Sequence, residues 1–172
     1  MQDNIQTVTV TLQTKELKYA IMNKTHLTAR SLRAAGKLGY ESESHMQASE
    51  EPDNMYELDR AIGDTIAVLK VELGEYLSEY TTTTNNLVNS SVEDGQAVTF
   101  SFLLTSNYNR AAADALSSGI HECVVNRSIY MWYRMTCPEI AEACKVDAEL
   151  ALARAKRALY SRVRPERPTC CV

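Results

Sequence analysis

The residues best equipped for chemistry are His121 and Cys123, a histidine and a cysteine two positions apart. A thiol beside an imidazole is the raw material of a nucleophilic site, provided the base lies within hydrogen-bond reach of the sulfur. On a helix, positions two apart point about 200° away from each other around the axis, so the two side chains diverge. His26 and His45 belong to separate segments and bring no second base alongside. Metal binding meets the same obstacle. Cys137 and Cys144 are two helical turns apart, beyond the i,i+3 or i,i+4 spacing of a helical chelate, and adjacent Cys170 and Cys171 form a weak soft-metal signal. Neither H-E-x-x-H, C-x-x-C, a phosphate loop nor G-x-G-x-x-G occurs. Glu72, Glu75 and Glu79 follow one helical face and read as a solvated edge rather than as an acid–base pair. The residues point to no catalytic, cofactor-binding or metal-ligating set.

Two clusters have the composition of recognition surfaces instead. One is Tyr130-Met131-Trp132-Tyr133, whose successive side chains point around a helix, so that only some enter one core. Tyr130, Trp132 and Tyr133 are then either core residues near the helix end or anchors at an interface, where Trp and Tyr are enriched. The other is the tail, with Arg162, Arg164 and Arg167 set among Pro165 and Pro168. Residues before proline are driven to extended geometry, so the helix cannot pass Val163. A stiff, arginine-bearing segment fits docking in an acidic groove, with a disordered end as the alternative. Six basic residues (Arg154, Lys156, Arg157, Arg162, Arg164, Arg167) lie close together, but no DNA-binding motif accompanies them.

The elements that must position these clusters follow from periodicity. Residues 5–13 alternate Val8, Val10 and Leu12 with threonines, which predicts a strand. A helix is expected from Thr14, with Thr14 as its cap and Leu17, Ala20, Ile21, Leu27 and Leu32 on one face. Residues 37–54, rich in serine and acid, read as a loop. Asp53 or Asn54 then caps a central helix over 55–80, whose stripe is Met55, Leu58, Ile62, Ile66, Leu69, Leu73 and Tyr76. Gly63 and Gly74 inside it each cost about 1 kcal/mol, which close packing would offset. Residues 80–93 form a polar connection ending in the turn Glu93-Asp94-Gly95, and 96–105 alternate as a second strand. A third helix covers 110–135, with Leu116, Ile120, Val124, Met131 and Met135 on one face. Pro138 opens a fourth over 138–162, with Thr136 or Cys137 as cap and the stripe Ala141, Cys144, Ala148, Leu152, Ala155 and Leu159. Two strands are too few for an independent sheet, so they pair as a ribbon against the helices or join strands of adjacent copies.

The totals fit one α+β domain, predominantly helical. The chain has 172 residues, 45% hydrophobic and 23% charged, with a formal net charge of −4. That balance does not mark a nucleic-acid binder. Acids dominate between Glu41 and Asp94, and bases gather at 15–37 and 154–167. Such segregation describes either solvated faces or an acidic face of one copy meeting a basic arm of the next. No leader-like apolar segment opens the sequence, and no apolar run approaches the roughly 20 residues of a membrane span. The sequons at Asn23, Asn89 and Asn126 then read as chance matches. Five cysteines, three of them inside helical patterns, fit a reducing compartment.

The order of these parts resembles small head-to-tail connector proteins of tailed bacteriophages, the adaptor or ring proteins beneath the portal, including those of Bacteroides and crAss-like phages. The resemblance is carried by Tyr130-Met131-Trp132-Tyr133-Arg134, by Pro138-Glu139, and by Leu159-Tyr160-Ser161-Arg162-Val163-Arg164-Pro165-Glu166-Arg167-Pro168. Val8 to Leu12 running into Leu17-Lys18-Tyr19-Ala20-Ile21 and the central helix add to it. It implies a virion structural protein without catalytic activity, present in host cytoplasm during assembly. The subunit would be four-helix bundle-like with a two-stranded ribbon, comprising a connector domain over 1–161 and an extended arm over 162–172. It would form a ring, a dodecamer by that resemblance, joining portal to tail and giving DNA a passage. The arm, with Arg162, Arg164, Pro165, Arg167 and Pro168, would dock on the portal protein or a neighbouring neck or tail subunit. Non-specific contact with genomic DNA in the channel would be possible, and no membrane is involved. The acidic stretch 41–53 and Cys170-Cys171-Val172 match nothing in that pattern. Two other classes stay open: a cytosolic bacterial interaction or regulatory module, and a small enzyme whose site is assembled between subunits from His26, His45, His121 and Cys123.

Overall fold

The structure is a computed structural model and describes residues 5–37, 39–78 and 96–164. The polar connection expected at 80–93 and its closing turn lie outside the described residues. The chain opens with strand β1 (Gln6–Gln13), which passes without a loop into helix α1 (Thr14–Ala34). Thr14 is therefore the first helical residue rather than a side-chain cap, and its N–H continues the strand ladder by donating to Gln96 O at 3.1 Å. β2 (Ala97–Leu104) pairs antiparallel with β1, Gln6 facing Leu104 and Gln13 facing Ala97. Period-two alternation does what it must. Val10, Leu12, Val98, Phe100, Phe102 and Leu104 are buried against the helices, whereas Thr7, Thr9, Thr11, Thr99 and Leu103 face out.

The expected loop at 37–54 is in fact structured in part. A short helix, α2 (Tyr40–Met46), sits within it, with Glu43, Met46 and Ala48 buried. Arg33 holds it from α1, paired with Glu43 at 2.7 Å and stacked over the Tyr40 ring at 5.0 Å. Ala48 N–H donates to Thr25 Oγ1 at 3.2 Å. These contacts come from α1, outside the short helix, so the periodicity of its own residues carries no trace of them.

Helix α3 (Pro52–Glu72) starts earlier than its cap residues suggested, with Pro52 in the first turn, where its missing N–H costs nothing. It also ends earlier. Leu73 closes it, and Gly74–Tyr76 forms a separate 3-10 turn. Gly63 is buried inside α3, but Gly74 stands outside it, with open space where a side chain would sit. The lysine of the α1 face is partnered inside this pair of helices: buried Lys18 meets Asp59 at 2.7 Å.

Helix α4 (Ala113–Thr136), preceded by the 3-10 turn Arg110–Ala112, is the hub and touches α1, α2, α3, β1 and its successor, α5 (Pro138–Leu159). A helix surrounded by neighbours is buried on more than one face and loses a single clean stripe. Cys123, Val125, Asn126, Ser128, Ile129, Trp132 and Tyr133 are buried beside the expected Leu116, Ile120 and Val124, while Met135 is exposed. On α1, similarly, Thr25 and Ala29 occupy the buried face and Leu27 points to solvent.

α5 lies against α4 through small residues: Ala141, Cys144, Ala148, Ala151, Ala155 and Ala158 are buried, and Ala151 takes the place expected for Leu152. The close approach happens at Gly119. A Cβ there would meet Ala155 N at 3.0 Å and Ala151 O at 3.1 Å. Cys137 joins the helices, donating its N–H to Tyr133 O at 2.8 Å while Pro138 starts the next turn. Five helices and one two-stranded antiparallel sheet among the described residues make a mostly helical α+β fold.

Candidate functional site

The chemical candidates are dispersed. Cys123 is buried, and burial pushes its thiol up to about 11, away from the thiolate that a nucleophile needs. His26 and His45 are exposed on α1 and α2. His121 lines a cleft of about 460 Å³ between α1 and α5, floored by α4, with Lys24, Asn126, Asp147 and Arg154. There Lys24 donates to Asn126, and Arg154 pairs with Glu122 at 3.0 Å. No group of three His, Cys, Asp or Glu residues able to hold a metal ion occurs among the described residues. No helix among them is long and apolar enough to cross a membrane.

The aromatic cluster divides. Trp132 and Tyr133 belong to the chain's own core. Trp132 Nε1 donates to Met46 O at 2.9 Å, which ties α2 to α4, and burial pushes the Tyr133 hydroxyl up to about 12. Most of their surface is already spent within the chain. Tyr130 is half-buried, with the Arg134 guanidinium 5.8 Å from its ring centroid. Beside it, α3 and α4 enclose a groove of about 280 Å³ lined by Glu57, Arg60, Asp64, Met131, Arg134 and Met135, with the Trp132 edge at its base. Met131 and Met135 were expected in the core. They line this groove opposite Glu57, Arg60 and Asp64 of α3, with Met131 half-buried and Met135 exposed. The only hint in the sequence is that both fall in the last turns before Pro138.

The tail leaves the body later than its composition implied. Tyr108 and Arg162 form an isolated antiparallel bridge: Asn109 N–H donates to Ser161 O at 3.1 Å, and Val163 N–H to Asn107 O at 2.8 Å. Arg162 turns back on its own helix, donating to Leu159 O at 2.7 Å and Ser161 O at 3.1 Å, so it satisfies carbonyls at the α5 terminus. Tyr160 packs edge-on against Tyr76 at 5.6 Å, and hydrogen bonding with Tyr160 pushes the Tyr76 hydroxyl up to about 12. Tyr108 beneath is buried, and desolvation raises its phenol while the Arg162 charge opposes it. Arg162 is thus tied to the body through its backbone bridge and its contacts with the helix end, while its side chain keeps exposed surface, as does Arg164. Pro165, Arg167, Pro168, Cys170 and Cys171 lie outside the described residues.

The segregated charges also find partners at home. Lys156 meets Glu72 at 2.6 Å, and that hydrogen bond lowers the Glu72 pKa. With Arg154 on Glu122 and Arg162 on backbone carbonyls, half of the six-residue basic cluster is engaged within the chain itself. Arg157 and Arg164 make no ion pair among the described residues. No family model matches the chain, and no curated protein or solved structure matches it either.

Proposed function

We propose that this chain is a non-catalytic assembly subunit, a ring component of the head-to-tail connector of a tailed phage, joining portal to tail around the DNA passage. The observation that carries this reading is the tail junction: the chain is pinned to the body through Val163, and Arg164 immediately after it is exposed. A pinned root gives an arm a fixed point of departure and lowers the ordering cost of docking. The burial of Cys123 and the dispersal of the histidines support the non-catalytic part. In this reading the four long helices act as a bundle-like body. Residues beyond the bridge act as the arm, and the groove at Met131, Arg134 and Met135 receives a neighbouring subunit. The setting rests on the resemblance of the closing helices and tail to connector proteins.

Deletion of residues 164–172 tests it. The truncated chain should keep its helical circular dichroism and fail to enter particles when co-expressed with portal and tail proteins. Normal incorporation would sink the arm's role.

A further inference from the structure

The β ribbon has two edges, and they are treated differently. Because Thr14 N–H bonds Gln96 O, the hydrogen-bonded pairs of the ladder fall on the even residues of β1: Leu12, Val10, Val8 and Gln6. The N–H and C=O groups of Thr7, Thr9 and Thr11 therefore point away from β2. They meet no backbone partner among the described residues, and their side chains are exposed. The far edge of β2 is occupied at the corresponding place. Leu77 forms a bridge with Phe102, and Ser78 N–H donates to Ser101 O at 2.8 Å.

Open strand edges are usually protected by proline, an inward charge or a bulge. β1 has none: Gln6-Thr7-Val8-Thr9-Val10-Thr11-Leu12-Gln13 contains neither a charge nor a proline, and it pairs with β2 without a break. It is also close to its own reverse. Turned antiparallel on itself about Thr9, it sets Thr7 against Thr11 and Thr9 against Thr9 on the exposed face, and Val8 against Val10 on the inner face. Like meets like in each of these pairs, with no like-charge repulsion across strands. The pairs at Thr7, Thr9 and Thr11 are the ones whose backbone groups point outward.

We propose that β1 pairs with β1 of a second copy across a two-fold axis at Thr9, making a continuous four-stranded sheet in the free protein. A head-to-tail alternative, β1 on the far edge of β2, is obstructed by Leu77 and Ser78. The contact is isologous and closes at two copies. It is independent of the connector reading, since a two-fold contact does not repeat around a ring of subunits that all point the same way. The dimer is the state of the chain outside such a ring.

Sedimentation velocity combined with residue-resolved hydrogen exchange tests the pairing. The full chain should sediment at twice the monomer mass, with slow exchange at the Thr7, Thr9 and Thr11 amides. Thr9→Lys, which places two ammonium groups on the axis, should halve the mass and release those three amides. The Val8, Val10 and Leu12 amides, bonded to β2, should stay protected and report that the variant is folded. Thr99→Lys, on the same face of β2 but away from the free edge, should leave the dimer intact. A wild-type chain that is monomeric at its highest soluble concentration would overturn the proposal. So would an oligomer in which the Thr7, Thr9 and Thr11 amides still exchange freely. If Thr9→Lys does not fold, the wild-type exchange pattern decides alone. Particle incorporation reads residues 164–172 and not β1, so the two ideas fail separately.

Discussion

The α4–α5 hairpin and the β1–β2 ribbon each bring two antiparallel segments together, but they close to different degrees. In the hairpin, small side chains bring the helices so near that Gly119 has no room for a Cβ, and the joint at Cys137 carries a backbone bond as well as a helix-starting proline. The ribbon buries one face with equal thoroughness and leaves a row of backbone groups at Thr7, Thr9 and Thr11 without a backbone partner among the described residues. Helices satisfy their backbone internally, whereas a strand always leaves half of its groups to a neighbour. In a chain built this way, strength resides in the helices, and among the described residues the strand edge at Thr7, Thr9 and Thr11 and the groove ending at Met135 keep exposed surface.

That contrast can be broken most forcefully from inside the hairpin. Trp132→Ala removes a buried indole and the donor that holds Met46 O, so unfolding free energy should fall by about 3–5 kcal/mol in urea titration. α2 should become protease-sensitive in parallel. Gly119→Val forces atoms into the backbone of α5 and should cost roughly 1–3 kcal/mol, whereas substitution at Gly74, where nothing lies within 4 Å, should cost much less. Equal losses at the two glycines would mean that the close helix approach does not exist.

A smaller effect appears with pH. Burial raises the Cys123 thiol to about 11, so the unfolded chain releases this proton first, in the ordinary thiol range. The unfolded state then binds fewer protons than the folded one, and stability falls as pH rises through that window. Tyr133, raised to about 12, extends the fall from the ordinary tyrosine range upward. Urea midpoints measured against pH should decline from the ordinary thiol range upward, and Cys123→Ala should make that decline shallower without removing it, because burial also raises the Cys144 thiol. The smallest effect belongs to the tail junction. Arg162→Ala should cost only about 1 kcal/mol, because its hydrogen bonds are partly exposed, but it should increase proteolytic cleavage around residues 162–164. A tail as protected in that variant as in the wild type would show that the strand bridge holds without the arginine.

Several features were legible because they are local. Alternation fixed both strands to within a residue at each end, and Pro138 marked the start of α5. Other features were not legible because their causes are distant in sequence. α2 is held by Arg33, Thr25 and Trp132, so its seven residues carry no periodicity of their own that announces it. The face of α4 was misjudged toward its end for a related reason: periodicity gives a stripe, but only the placement of α2, α3 and α5 decides how far around the helix burial extends. Of the residues expected to bind partners, Tyr130, Arg162 and Arg164 retain exposed surface, Trp132 and Tyr133 sit in the core, and Arg162 also bonds its own helix terminus.

The sequence by itself determined the kinds and order of segments: a threonine-alternating strand, long amphipathic helices, a second alternating strand, and a proline-started helix running into an arginine–proline tail. Hydrophobic spacing and proline geometry act over a few residues, so no fold was needed to read them. Tertiary structure alone decided which charges cancel at home, which aromatic rings are core, and which strand edge has no backbone partner among the described residues. Those outcomes depend on pairs such as Lys156 with Glu72 or Ser78 with Ser101, brought together only when distant segments pack. The free edge of β1 is the clearest case: its alternation is written in eight residues, but its exposure follows from where every other element went.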